Sequence, residues 1–247
     1  FTNSGLEFFV LSASILLFCA MLIAIYISNS NKNSNLSSKV GGNWSDAINN
    51  IITVKEIRTI ASYSWLFTIL MTVQWISAIP IIESYSDLSP QRIELFGRIE
   101  QLVSPLTLFT QLCLTYIVIA AFGIKLILIV YGLLFVIVFL LYGLVPSVGV
   151  VVFAQALLRV FEYGFNKPSR EIIYSELGKK DRYKSSVFID TFVTRFGDLT
   201  GSLFMAFGKF SSIAATFMPL LAIPLAGFLS IAGLKIAKNS SKKAKDL

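Results

Sequence analysis

Long apolar runs recur along this chain, and they decide its solvent. A membrane-crossing helix takes roughly 20 apolar residues, and seven such stretches can be read: Leu6–Ser28, Ile60–Ile82, Leu102–Ala121, Leu126–Val145, Val148 to about Glu171, Val187–Phe207 and Ile213–Ala237. Only 14% of the 247 residues are charged, against about 25% in soluble domains. The sequence therefore predicts an all-α, polytopic membrane helix bundle.

Charge between the runs sets the expected orientation. Of the 21 Lys and Arg residues, only Arg92, Arg98 and Lys209 fall on one side, and Arg159 and Arg195 lie within spans. The others gather on the opposite side, which the positive-inside rule assigns to the cytoplasm. The C-terminus is then cytoplasmic and Phe1 outside.

Organisation follows from the connections. Residues 1–28 form one span, and 29–53 form a cytoplasmic linker whose Asn- and Ser-rich part, Asn29–Asn50, suits a flexible connector. Residues 54–237 form a six-helix bundle with tight turns, and 238–247 a basic cytoplasmic tail that stays solvated or touches anionic lipid. One span, a linker and six spans are what remains of a twelve-span, two-bundle transporter cut before its sixth span. On this reading the chain is a fragment, and its partners are the missing N-terminal bundle and the lipid bilayer.

Against this apolar background the charges inside spans stand out. Each costs about 2.5 to 3.5 kcal/mol at bilayer depth, so such residues face a bundle interior or a watery cavity. In the fifth span Gln155, Arg159, Glu162, Tyr163, Asn166 and Arg170 share a face about 100° wide. Pro168 is expected to kink that helix. An intrahelical Arg159–Glu162 pair is the plain structural alternative, and it leaves a stripe of four turns unexplained. The sixth span carries Asp190, Arg195 and Asp198, with Gly197 and Gly201 spaced for close helix packing. Gly178–Ser186 between the two is expected to be a short basic turn.

The third span begins near Pro90 and adds a polar seam of Glu100, Ser104, Thr107, Gln111 and Thr115, within about 80° on a helical wheel. Such a seam either bonds helix to helix or walls an aqueous path. Arg58, Ser62 and Trp65 of the second span share a face, as snorkelling anchors or as a pore lining. The fourth span has no charge and reads as peripheral and lipid-facing.

Catalysis finds little support. There is no His, the commonest general base and metal ligand. Cys19 and Cys113 sit in apolar spans as packing residues. No nucleophile–base cluster, cofactor motif or nucleic-acid partner is indicated.

The run NKPSREIIYSELGKKDRYKSSVFIDTFVTRFGD, Asn166–Asp198, resembles the bacterial ATP/ADP translocase-like (NTP/NDP exchange transporter) family, in its divergent branch. FGRIEQLVSPLTLFTQLCLT, Phe96–Thr115, and FAQALLRVFEYGF, Phe153–Phe165, are similar to the same family. Pro168, Arg170, Glu171, Tyr183, Lys184, Phe188, Asp190, Arg195, Gly197 and Asp198 fit its pattern. Ser186 and Val187 stand where Lys and Asn are usual, and Phe196 where Gly is usual. The resemblance implies a major-facilitator-like fold, of which this chain is the C-terminal half plus the preceding helix, in a bacterial inner membrane.

Together these readings predict a secondary-active transporter of an anionic solute, with nucleotide exchange (ATP/ADP or NTP/NDP antiport) first. Arg159, Lys167, Arg170 and Arg195 would attract phosphate groups, while Glu162, Asp190 and Asp198 hold those cations when substrate is absent. Glu100 and Gln111 complete the expected substrate site. A proton-coupled carrier of another solute and a non-transporting scaffold or sensor are the alternatives.

Overall fold

The computed structural model describes residues 3–30, 44–175, 179–211 and 217–243, and every element in them is helical. Two compact units are separated, Phe1–Gly42 and Asn43–Leu247. The first contains α1 (Asn3–Ser30). Its apolar residues are exposed from Leu11 to Ile27, as suits a helix apolar on all sides.

The second unit begins with α2 (Trp44–Thr53) and α3 (Lys55–Glu83). Residues 44–53 of the expected linker are thus helical; 31–43 lie outside the described residues. Pro90 stands in the first turn of α4 (Ser89–Phe109), where its missing N–H costs nothing. A π-helical turn, Thr110–Leu114, leads into α5 (Thr115–Leu144). Gly123 breaks α5 at φ 72°, a conformation open to glycine without a Cβ clash. This is the tight connection expected between the third and fourth spans.

Then follow α6 (Val148–Phe161), a π-helical turn (Glu162–Asn166) and α7 (Lys167–Ser175), stacked as one interrupted helix. The same pattern repeats in α8 (Lys179–Phe188), a π-helical turn (Ile189–Val193) and α9 (Thr194–Phe210). The basic stretch 179–186, expected as a turn, is therefore helix, while Gly178 lies outside the described residues. The chain ends with α10 (Met218–Leu221) and α11 (Ile223–Lys243). Helix continues into the expected tail, whose residues 244–247 are not described.

Four described segments are long and apolar enough to cross a membrane: Lys55–Glu83, Ser89–Leu144, Val148–Ser175 and Met218–Ile236. They mark an integral membrane protein. Ser89–Leu144 holds two of the expected spans, joined at Gly123. The α8–α9 segment falls short because Asp190, Arg195 and Asp198 interrupt it. In α1, Ser14–Ile27 is an apolar helical stretch.

The fourth span is not peripheral. Leu128, Tyr131, Phe135, Val138, Phe139 and Tyr142 of α5 are all buried, at the centre of the core shared with α3, α6 and α11. A Cβ on Gly233 of α11 would meet the Leu128 backbone at 2.9 Å, and one on Gly132 would strike Ser230. Absence of charge does not reveal a helix's position, because a protein-facing surface in lipid is as apolar as a lipid-facing one. The cysteines reverse in the other direction: Cys19 and Cys113 are exposed rather than packed inside.

Helix α9 lies close on α3 through its glycines. A Cβ on Gly201 would sit 2.9 Å from the Ile69 carbonyl oxygen, and one on Gly197 would sit 2.8 Å from Thr68 Cβ. The pair of small residues thus brings Asp198, between them, against α3.

Candidate functional site

A cleft of about 520 Å³ opens between α3, α4, α6 and α9. Glu100, Gln155, Arg159, Glu162, Tyr163 and Asp198 line it, opposite Met71, Thr72, Gln74 and Trp75 of α3. Four expected site residues, Glu100, Arg159, Glu162 and Asp198, therefore meet in one space although they come from three segments.

Their pairing differs from the intrahelical alternative. Arg159 donates to Glu100, linking α6 to α4. Glu162 instead accepts from Arg170 Nη2 at 3.1 Å and from Asn166 Nδ2. Asn166 Oδ1 in turn accepts from the Tyr63 hydroxyl at 2.7 Å. The Arg170 guanidinium faces Asp190 Oδ1 at 3.6 Å, donates to Ser64 Oγ at 3.3 Å and lies 4.6 Å from the Phe67 ring centre. Arg170 and Glu162 are buried, so this pair forms the floor behind the cleft. Asp190 is exposed on its other side.

Asp198 accepts from Thr72 Oγ1 at 3.0 Å and from Arg195 Nη1 at 3.0 Å. The Arg195 side chain is 81% exposed and stands outside the cleft, holding its rim carboxylate.

Of the nine expected site residues five are not among those lining the cleft: Arg170, Asp190 and Arg195 pair with its carboxylates or stand behind them, and Lys167 and Gln111 stand apart. Lys167 is exposed and lines no part of the cleft. On a helical wheel it already falls off the face shared by Gln155, Arg159, Glu162, Tyr163, Asn166 and Arg170, and only its charge recommends it. Gln111 donates to the Tyr163 carbonyl at 3.1 Å, and Thr115 Oγ1 donates to the Gly164 carbonyl at 2.6 Å. Those carbonyls belong to the opposing π-helical turn, where backbone groups freed from the regular ladder need partners inside the bundle. The seam on the third span thus divides: Glu100 walls the cleft, whereas Gln111 and Thr115 tie two helices together.

The α3 wall went unrecognised from sequence. Thr72 and Gln74 interrupt an otherwise apolar stretch, a weaker signal than charge but of the same kind. Gln74 Nε2 donates to the Tyr142 hydroxyl at 2.8 Å, and Thr72 holds Asp198.

Chemically, the arrangement can bind and exchange charge. Three carboxylates, Glu100, Glu162 and Asp198, and one guanidinium, Arg159, line the cleft. Each of these cations and carboxylates has an opposite charge beside it, so a charged ligand must compete for a partner already engaged. Compared with protein-family models, characterised proteins and solved structures, the chain has no match.

Proposed function

We propose that this chain serves secondary-active transport across a membrane by alternating access, as the C-terminal bundle of a major-facilitator-like carrier. The observation that carries the reading is the cleft shared by Glu100, Arg159, Glu162 and Asp198, ionisable groups drawn from segments that otherwise suit lipid. Ion pairs between helices are suited to a carrier because they exchange partners when one helix shifts past another. The proposed location is a bacterial inner membrane with the C-terminus cytoplasmic. A preceding helix bundle of the same protein would face the cleft.

The resemblance makes nucleotide exchange the first cargo to test. A phosphate would take Arg159 from Glu100, with Arg170 and Arg195 adding positive field. The charge balance supports a second reading, a proton-coupled carrier of another solute. Three carboxylates against one guanidinium disfavour a multiply charged anion and offer sites for a proton.

Reconstitution of the complete gene product into proteoliposomes, with labelled ATP, ADP and phosphate, separates the two. Under either reading Arg159→Gln inserts normally and loses most of the uptake, because it removes the one guanidinium among the residues lining the cleft. Nucleotide exchange requires that ADP compete with ATP. Proton coupling requires flux that follows an imposed pH gradient and is lost in Asp198→Asn. Full transport in both variants would contradict a carrier working through this cleft.

A further inference from the structure

A second cleft, of about 790 Å³, lies between α3 and α11 and shares no residue with the first. Lys55 and Arg58 from the start of α3 and Lys235 from late in α11 line it, and among the described residues no carboxylate does. All three cations are exposed. The lower walls are apolar and aromatic, with Trp65 on α3 facing Leu225 and Phe228 on α11.

Helical periodicity explains why the cleft has a charged end and an apolar end. Lys55, Arg58 and Trp65 follow one another at the same spacing as Leu225, Phe228 and Lys235, within about 80° of each helix surface. The order of charge is opposite in the two series, so antiparallel helices bring the cations together at one end and the apolar residues together at the other. Trp65 is about 15 Å along the axis from Lys55, half of a hydrocarbon core of about 30 Å. Both helices are apolar enough to cross a membrane, so the cations fall at headgroup depth and the apolar walls at acyl-chain depth.

We propose that this cleft binds an anionic phospholipid, its phosphate held by Lys55, Arg58 and Lys235 and its acyl chain along Trp65 and Phe228. Basic pockets between membrane helices suit such headgroups, each Lys or Arg adding to the attraction. A free phosphate satisfies the cations alone and leaves the apolar wall unused.

The test uses the full chain in nanodiscs of phosphatidylcholine with and without phosphatidylglycerol, extracted and examined by native mass spectrometry for retained lipid. Wild-type protein should retain phosphatidylglycerol in preference to phosphatidylcholine. The triple variant Lys55→Gln, Arg58→Gln, Lys235→Gln should lose that preference by at least about tenfold. Should the triple variant fail to insert, Lys235→Gln alone should give a smaller loss in the same direction. Arg159→Gln, in the other cleft, should retain lipid as wild type does, whatever its effect on transport. Equal retention of the two lipids, or a preference undiminished in the cleft variants, would overturn the proposal. Inorganic phosphate binding the lipid-free protein and displacing phosphatidylglycerol would overturn the lipid assignment.

Discussion

Glu162 receives hydrogen bonds from two side chains at once, Arg170 and Asn166, and it does so largely buried at the floor of the cleft. Removing its charge leaves the buried guanidinium with Asp190 at 3.6 Å as the remaining carboxylate. Breaking one side of a buried pair costs roughly 3 kcal/mol or more, chiefly through the charge left behind. Glu162→Gln should therefore lower unfolding stability in detergent by roughly that amount. Glu100→Gln, whose carboxylate is half exposed, should cost less than about 1 kcal/mol. Replacing both members, Glu162→Met with Arg170→Met, should be milder than Glu162→Gln alone. Equal losses for the Glu162 and Glu100 variants would show that burial does not govern these pairs. At this scale the sequence was legible for charges and not for their partners. Spacing put Arg159 beside Glu162, but the chosen partners, Glu100 and Arg170, come from another helix and from beyond a π-helical turn. No local pattern announces either choice.

Among the described elements, three π-helical turns stand out: Thr110–Leu114, Glu162–Asn166 and Ile189–Val193. Two of them face one another, with Thr110 pressed on Gly164 and Gln111 and Thr115 bonded across the gap. A regular 3.6-residue wheel does not anticipate them: it puts Gln111 within about 20° of Glu100, yet Gln111 lies outside the cleft. Apolar length was legible, so the helices themselves were expected nearly where they occur. The side that each turns inward was legible where charge or paired glycines marked it. Such a mark is missing from α5, whose buried face is as apolar as a lipid-facing one. The glycine spacing on α9 did carry its message. Gly201→Ala would push a Cβ to 2.9 Å from the Ile69 carbonyl oxygen, and neither backbone can yield easily. A loss of about 1 to 3 kcal/mol is expected, measured by thermal unfolding in detergent. Gly97→Ala, with nothing within 4 Å of the added carbon, should be neutral; equal losses would remove the argument for close approach of α9 and α3.

For the second unit as a whole, the two clefts draw on different polar residues of α3. Lys55 and Arg58 open one; Thr72 and Gln74 wall the other. Transport requires that water reach the cleft of Glu100, Arg159, Glu162 and Asp198, since ionised groups held among apolar helices are tolerable where they meet solvent or one another. Substituted-cysteine labelling tests this directly. In a background with Cys19 and Cys113 changed to Ser, single cysteines at Met71 and Tyr163, which line the cleft, are compared with one at Leu133, exposed on the apolar surface of α5. With the protein in proteoliposomes, a charged thiol reagent supplied on both sides should modify the first two positions and leave the third unmodified. Protection of both cleft positions equal to that of Leu133 would mean that Glu100, Arg159, Glu162 and Asp198 do not face water, and would contradict the account.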